Sequence, residues 1–373
     1  MHRGVRELIE WVEKQRGSDL VAVNPPATAA ELAEIETALG SPLPTDLRLV
    51  LVRFNGGELP NGQLLPAGIG PGSMGATIKE YAGKVDADFL SSEILLPFFR
   101  TDEGSLLAFD RGAGPVADTW PIVDFDQSSG EHRLVYRTFD GFCRICVADF
   151  TSDDFGKDFG LDQYLRKGKR HLDVENDVAA AHATVAHAAK RAGLADESLS
   201  HYLEAARCVP PLSWCDWEAL KIAVLLGDER AALDAGSRLC TTAPDAVWSR
   251  RETTPVKVAE VLAQAAIRSR HPKLWLRHFD NLMFQVKKDD AALATIRALR
   301  TAVEKGGSLP APTQGRGSSV IPPDADVERW WEAAKATYFS GHLRDEDLLL
   351  DPTLEPLRAA KPVAELLRIR RDF

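Results

Sequence analysis

The sequence predicts an α+β domain followed by an all-α domain, and two observations lead to this prediction. Amphipathic helical stretches come first, and short β-rich runs separated by Gly, Pro and Asp turns follow them up to about residue 166. This order is typical of helices packed on a sheet that is mostly antiparallel. From about Val174 the strand pattern ends and Ala-rich helical stretches take over, which predicts a second domain built of helices.

The first domain begins with three predicted helices. Apolar residues at helical spacing predict the first over Arg3–Arg16. Thr28 followed by Glu31 has the spacing of a capping box and begins the second, which Gly40 ends. The third runs from Thr45 to Phe54. The predicted strands that follow are Leu64–Leu65, Ile94–Phe99, Ser105–Phe109, Trp120–Phe125, Arg133–Phe139 and Phe142–Val147. A helical stretch around Leu161–Arg166 closes the domain.

The second domain is predicted as helices separated by short breaks such as Gly193 and Gly227-Asp228. A later segment is rich in Pro, Gly and Ser, which predicts a flexible linker ahead of a final helix over Asp326–Phe339. The predicted helices of the second domain are Val174–Ala192, Glu197–Cys208, Trp214–Leu226, Glu229–Cys240, Thr254–Arg270, Pro272–Val286 and Asp290–Lys305. The predicted division is 1–166 for the α+β domain, 174–307 for the helical domain, 308–324 for the linker and 325–373 for a C-terminal helical segment.

The acidic charge lies in the first domain. Residues 1–166 hold 15 Lys and Arg against 26 Asp and Glu, a net charge of −11, and the rest of the chain holds 30 against 29, a net charge of +1. An acidic domain repels nucleic acid and attracts basic partners, chiefly by raising association rates. We therefore expect no direct nucleic-acid binding, with solubility as the other interpretation of the charge.

The sequence also predicts a cytoplasmic protein. The first residues alternate charged and apolar side chains, unlike a signal peptide, and no run approaches the roughly 20 apolar residues that span a bilayer. The cysteines are five, an odd and scattered set that favours reduced thiols over a disulfide framework.

Motifs that would carry chemistry are weak. The glycine-rich segment Gly68–Gly75 lacks a following Gly-Lys-Ser/Thr and is predicted as a surface loop. Cys143 and Cys146 have redox or zinc spacing but no second pair, and on a strand their thiols would point to opposite faces. His182 and His187 are five residues apart, which is a poor spacing for a metal pair on a helix. The expectation is a protein with no catalytic residues, no metal and no cofactor.

One segment of the first domain carries a recognisable signature. From Glu31 to Gly57 the chain has a Glu-bearing helix with Glu36, then Leu39-Gly40, Leu43-Pro44, a further helix and Asn55-Gly56-Gly57. This segment resembles the N-terminal signature of the SUKH superfamily, which includes yeast Smi/Knr-like cell-wall regulators and many bacterial immunity proteins. Gly and Pro at element ends serve backbone geometry. The signature residues are therefore interpreted as structural: Glu36, Gly40, Leu43, Pro44, Asn55, Gly56 and Gly57.

The resemblance continues through the later strands, over about residues 1–166. Leu95–Phe99, Asp102–Asp110 and Trp120–Val123 are similar to sheet strands of the family, and Phe150–Leu165 is similar to its closing segment. Where members often carry Gly-Asp before the central strand, this chain has Gly104-Ser105. No acidic group is therefore expected at that position.

The helical domain resembles a degenerate tetratricopeptide array. Ala181 to Pro210 looks like one unit and Asp216 to Pro244 like a second, a period of about 34 residues, although Ser198 stands where Ala is usual. Stacked helix pairs form a curved surface that normally holds a peptide or protein. The other interpretation is a closed helical bundle that only scaffolds.

The SUKH resemblance implies a non-catalytic, protein-binding function of the bacterial immunity type. Its acidic domain would dock on a toxin, commonly a basic nuclease, because an acidic inhibitor competes with the phosphate backbone for a cationic groove. The alternative is a regulatory scaffold that joins partners through the SUKH and repeat domains. The predicted partner-binding face is acidic and comprises Asp102, Glu103, Asp110, Asp124, Asp126 and Glu131.

Overall fold

The computed structural model describes residues 1–82, 95–125, 132–157, 160–242, 253–310, 321 and 323–371. Within these residues the chain forms two compact units. The first comprises Met1–Phe159 with Arg166–Ala181, and the second comprises Gly160–Leu165 with His182–Phe373. The predicted linker 308–324 lies largely outside the described residues, since 311–320 and 322 are not among them.

The first unit contains helices and one antiparallel sheet, as the sequence predicted. The seven described strands pair in chain order, β1 to β7, each antiparallel to the next. The strands are β1 Ala22–Val23, β2 Gly57–Leu59, β3 Gly62–Leu64, β4 Leu95–Thr101, β5 Leu106–Asp110, β6 Ile122–Phe125 and β7 His132–Tyr136. The helices are α1 Arg3–Gln15, α2 Ala29–Leu39, α3 Thr45–Leu51, α4 Met74–Ala82, α5 Phe139–Phe150 and α6 Leu161–Val174. Only the part of α6 from Arg166 onward belongs to this unit.

Helix α5 corrects the strand that was predicted over Phe142–Val147. Thr138 caps the helix by accepting a hydrogen bond from the Gly141 N–H at 2.9 Å. The buried residues of α5 recur at intervals of three and four, which is the spacing of one helical face. Cys143 and Cys146 therefore lie on the same buried side, and the expectation that their thiols point to opposite faces is wrong.

Aromatic side chains fill the space between the sheet and α5. Phe98 and Phe99 of β4 and Phe109 of β5 are almost fully buried, and they contact Phe139 and Phe142 of α5. Ring centroids in this cluster are 4.7–6.4 Å apart, mostly in tilted or edge-to-face arrangements, which aromatic pairs prefer. Helix α5 is thus the element that closes the core of the first unit.

Helix α1 lies directly against α5, and a glycine permits the close approach. A Cβ on Gly4 would lie 2.5 Å from the Asp140 carbonyl oxygen and 2.4 Å from Cγ of Arg144. The Gly4 N–H instead donates to Asp140 Oδ1 at 2.6 Å. Trp11 of α1 packs on Phe150 at 4.7 Å between ring centroids. The N-terminal helix is therefore an integral part of the first unit.

The second unit is all-helical in its described residues, as predicted. Its longer helices pack in sequence, with α8 and α10 both against α9. They are α7 Ala179–Arg191, α8 Ala195–Arg207, α9 Trp214–Leu226, α10 Glu229–Thr241, α11 Pro255–Arg268, α12 Leu276–Gln285, α13 Asp290–Lys305 and α14 Val327–Phe339. Two short helices, α15 Asp345–Leu350 and α16 Glu355–Ala360, follow.

Small residues allow close packing at the start of the second unit. Ser198, which replaces the Ala usual in a tetratricopeptide unit, is fully buried, and its hydroxyl donates to the Ala186 carbonyl oxygen at 2.8 Å. Tyr202 is 1% exposed. This geometry explains how a polar residue is accommodated at that position; the assignment as tetratricopeptide repeats stays a prediction.

Candidate partner-binding site

Two of the predicted acidic residues lie in the turn between β4 and β5. The turn is closed by the Thr101 N–H, which donates to the Ser105 carbonyl at 2.9 Å, and by the Gly104 N–H, which donates to the Thr101 carbonyl at 2.9 Å. Gly104 has φ +86°, a left-handed conformation that favours glycine. The chain therefore forms a tight hairpin turn whose outer residues are Asp102 and Glu103.

The side chains of Asp102 and Glu103 are exposed. Within the described residues, neither carboxylate makes an ion pair or a side-chain hydrogen bond. The Asp102 N–H donates to the Asn61 carbonyl at 3.3 Å, which joins this turn to the turn between β2 and β3. The two carboxylates are thus held on a fixed backbone and are free to meet a partner.

Asp110 lies at the far end of β5 from that turn. Asp110 lies four positions after Leu106, the first residue of β5, and this corresponds to a distance of about 13 Å along a strand. One of its oxygens, Oδ1, accepts a hydrogen bond from the Gly112 N–H at 2.9 Å, which caps the short 3₁₀ turn that follows. The structure therefore does not bring Asp110 together with Asp102 and Glu103.

Asp124 is closer to the turn but is engaged within the sheet. It pairs with Leu107 in the register of β5 and β6, at the end of β5 that follows the turn. Its side chain is 15% exposed, and Oδ2 accepts from Arg133 Nη2 of β7 at 2.9 Å. Asp124 therefore presents little free charge. The remaining two predicted residues, Asp126 and Glu131, lie outside the described residues.

One exposed carboxylate near this turn was missed at the sequence level. Glu58 is the exposed central residue of β2, between buried Gly57 and Leu59. It lies three residues before Asn61, which bonds to Asp102. The alternation of buried and exposed positions in Gly57–Leu59 is the signal that could have identified it, but a three-residue strand gives that pattern little weight.

The signature residues Glu36 to Pro44 make contacts that hold the chain between α2 and α3. Oε1 of Glu36 accepts from the Leu43 N–H at 3.3 Å and from Arg48 Nη1 at 2.8 Å. Gly40 ends α2 in the left-handed conformation, with φ +66°. Pro44, with φ −52°, begins α3. Each contact fixes the backbone, and none leaves a free functional group at this turn.

Asn55 and the two glycines after it connect α3 to the sheet. Asn55 is 6% exposed; Oδ1 accepts from the Ala67 N–H at 2.7 Å, and Nδ2 donates to Glu31 Oε1 at 3.3 Å. Gly56 and Gly57 have φ +75° and +127°.

Hydrogen bonds from the backbone and side chain of Thr28, together with the one from Asn55, hold the pKa of Glu31 below its ordinary value.

Other groups that could carry chemistry are engaged in packing. Burial raises the pKa of the Cys146 thiol to about 12 and that of the Cys143 thiol well above its ordinary value, so neither is a ready thiolate. In the second unit, Nδ1 of His182 lies 2.9 Å from Nδ1 of His201. Among the described residues, no group of three or more His, Cys, Asp or Glu side chains is placed to hold a metal ion.

Comparison with known proteins finds a family that most of the first domain matches. Residues 26–144 match the model of the SMI1 / KNR4 family (SUKH-1), and this match covers 119 of the 373 residues of the chain. The matched segment runs from the turn before α2 into α5. No curated protein matches the chain. In the part of the chain that the structure describes, no helix has both the length and the apolar character to cross a bilayer.

Proposed function

Because the N-terminal domain of this chain is a SUKH domain, we propose that the chain is a non-catalytic protein that binds a partner protein, as a toxin-immunity-type inhibitor does. The match to the SMI1 / KNR4 family (SUKH-1) is the observation that carries the proposal. The partner that fits this reading is a basic toxin, in particular a nuclease, held in the cytoplasm of a bacterium.

The charge of the domain supports this class of partner. Residues 1–166 carry a net charge of −11, and an acidic surface steers a basic protein toward itself and speeds association. A nuclease presents a cationic groove to the phosphate backbone of its substrate. An acidic domain docked on that groove would exclude the substrate without any chemistry of its own.

Among the predicted residues that the structure describes, the exposure of two carboxylates supports the turn between β4 and β5 as the contact. Asp102 and Glu103 are exposed and unpaired within the described residues, whereas Asp124 is committed to Arg133 and Asp110 to the turn after β5. Charge reversal at Asp124 would therefore disturb the sheet as well as any interface. The turn residues give the cleaner test.

The test is binding of the full chain to a purified basic nuclease toxin encoded beside its own gene. We expect the double substitution Asp102→Lys and Glu103→Lys to lower the association rate about tenfold or more at about 0.05 M salt, with a smaller effect at about 0.5 M salt. The nuclease activity that survives at a fixed inhibitor concentration should rise in parallel. Surface plasmon resonance and a nuclease assay measure the two quantities.

A matched control changes the same number of charges elsewhere in the domain. Glu10 and Glu13 of α1 are exposed, and replacing both by Lys adds the same +4. We expect this variant to keep an association rate within about twofold of the wild type, because only charges near the contact act strongly at short range. If both variants lost association rate equally, the effect would come from net charge, and the turn would not be the contact.

A regulatory scaffold is the second candidate, and one observation favours it. The helical unit exposes large apolar side chains: Phe284 is 71% exposed, Leu274 58% and Ile267 45%. Large exposed apolar side chains are frequent in protein interfaces. A pull-down from the native organism separates the candidates, since a scaffold would retain several cellular proteins through residues 174–373 at high salt, and an immunity protein would retain one basic toxin at low salt.

A further inference from the structure

The helical unit contains a cleft that neither proposed function uses. It has a volume of about 410 Å³ and is lined by residues of α7, α9, α14 and α15, with Arg371 following them near the end of the chain. Cavities of roughly 300–1,000 Å³ are the size that small molecules occupy. The cleft is therefore large enough for an organic ligand.

The inner wall of the cleft is a network of ion pairs between buried and half-buried charged groups. Lys190 Nζ of α7 lies 3.0 Å from Glu218 Oε2 and 2.5 Å from Asp345 Oδ2. Lys221 Nζ of α9 lies 2.6 Å from Glu218 Oε1 and 3.2 Å from Glu346 Oε2. Every carboxylate of the lining thus has an ammonium partner, so the wall offers no free negative charge.

The remaining lining charge is positive. Of the charged side chains that line the cleft, five are cationic and three are carboxylates when His187 is neutral. Arg191 of α7 is exposed and, within the described residues, has no carboxylate partner. The third arginine of the lining, Arg344, lies 3.6 Å from Glu346 Oε1 through its Nη1. Within the described residues, the lining cations without a carboxylate partner are therefore Arg191 and Arg371.

Arg371 has an orphaned nitrogen. Its guanidinium carbon lies 4.1 Å from the ring centroid of Phe339 and 5.4 Å from that of Tyr338, so the two rings hold the group over their faces. Its Nε is shut away from solvent and has no hydrogen-bond partner in the described chain. Burial, together with the charge of Arg191, lowers the pKa of Arg371. A buried donor without an acceptor is costly, so Arg371 has hydrogen-bonding capacity that the described chain does not use.

We propose that this cleft binds a small organic ligand through its oxyanion, a phosphate or carboxylate group, which Arg371 and Arg191 hold. A guanidinium presents a planar set of donors that matches the oxygens of either anion. Contact with the Phe339 ring restrains the guanidinium before the ligand arrives, so less side-chain freedom is lost on binding. Inorganic phosphate fills only a small part of 410 Å³, which favours an organic anion as the full ligand.

The test uses the full chain with three probes: inorganic phosphate, a nucleoside 5′-monophosphate and citrate. Each is titrated by calorimetry at constant ionic strength, so that screening does not change along the titration. We expect saturable binding of at least one probe, and Arg371→Gln to weaken it about tenfold or more, the loss typical of a charged hydrogen-bond partner. The matched control is Arg370→Gln, which removes the same charge from an exposed neighbour outside the cleft.

The outcomes separate the sources of the anion and decide the proposal. Tighter binding of the monophosphate than of citrate identifies a phosphate ligand, and the reverse identifies a carboxylate ligand; either supports the cleft if Arg371→Gln loses it and Arg370→Gln keeps it. Arg191→Gln provides a second variant, on an exposed residue whose replacement leaves the core intact. No saturable binding of any probe, or equal losses in Arg371→Gln and Arg370→Gln, overturns the proposal.

Discussion

Gly40 and Gly56 have the same backbone conformation but different surroundings. Both lie in the left-handed region, with φ +66° and +75°. A Cβ on Gly40 would meet nothing within 4 Å, whereas one on Gly56 would lie 2.5 Å from the Leu64 carbonyl oxygen and 2.7 Å from the Pro66 nitrogen. The first glycine is needed for its conformation alone, and the second also for the space that it leaves to β3 and the residues after it.

We therefore expect substitution by Ala to lower the free energy of unfolding by different amounts at the two glycines. We expect Gly40→Ala to lower the free energy of unfolding by about 1 kcal/mol, the cost of a left-handed alanine. Gly56→Ala should lower it by about 3 kcal/mol, because backbone atoms of the sheet must also shift. Urea unfolding of each variant followed by circular dichroism measures the difference. Equal costs would mean that the sheet yields freely at Leu64.

Sequence spacing could locate the signature residues but not their partners. The distances along the chain between Glu36, Leu43 and Asn55 are visible in the sequence, and they predicted a capped helix, a turn and a second helix. That Glu36 accepts from Arg48, and Asn55 from the Ala67 N–H, depends on how the segments fold back on one another. In the same way, nothing in the sequence indicates that Asp124 is neutralised by Arg133 nine residues later, across two strands.

At the level of elements, helix α5 shows where a local pattern misleads. Phe142 to Val147 is rich in aromatic and β-branched residues, which favours a strand in isolation. The buried positions Phe139, Phe142, Cys143, Cys146 and Phe150 instead follow a helical face. The cap at Thr138 and packing against α1 and the sheet outweigh the propensity of the segment.

Helix α9 carries Glu218, a half-buried carboxylate that pairs with two ammonium groups. This arrangement predicts a pH dependence. Burial of Glu218 acts to raise its pKa, but the charges of Lys190 and Lys221 and their hydrogen bonds lower it well below the ordinary value. A carboxyl whose pKa is lower in the folded state stabilises the fold above its unfolded pKa, and this contribution is lost as the pH falls through and below that value. The helical unit should therefore lose stability as the pH falls from about 5 to about 3.

Replacing Glu218 by Gln removes this contribution. We expect Glu218→Gln to lower the free energy of unfolding at pH 7 by about 2 kcal/mol, because the buried ammonium of Lys221 and the half-buried ammonium of Lys190 each lose a partner. The same variant should show a shallower decline in stability from pH 5 to pH 3, measured by urea unfolding at several pH values. The control is Glu332→Gln, a side chain that is 66% exposed and paired with Lys335, which should change stability by less than about 0.5 kcal/mol. Parallel pH profiles for Glu218→Gln and the wild type would contradict this role.

At the scale of the whole molecule, the predicted end of the first domain at residue 166 and the compact units do not coincide. The units assign Arg166–Ala181 to the first. Arg170 and His171 lie 3.2 Å and 2.9 Å from oxygens of Asp149. Oε2 of Glu175 accepts from the Arg137 N–H at 2.8 Å. These contacts join the C-terminal part of α6 and the residues after it to α5 and to the residue that follows β7.

The composition of this segment explains why the sequence predicts the boundary at residue 166. The resemblance to the SUKH family covers about residues 1–166, and the residues just beyond this range are strongly polar. Few apolar side chains occur just beyond residue 166, and recurring apolar side chains are the main sequence signal of a packed element.

Two fragments decide between the boundaries. We expect the free energy of unfolding of residues 1–181 to exceed that of residues 1–166 by about 2 kcal/mol. The shorter fragment loses the acceptor for the Arg137 N–H and two hydrogen-bond partners of Asp149, Arg170 and His171. Substituting Glu175→Ala in the longer fragment should lower its free energy of unfolding by part of the same amount, since this change removes the same acceptor without shortening the chain. Equal midpoints for the two fragments would place the boundary at residue 166, with the remainder of α6 as a connection that the SUKH domain does not need for its stability.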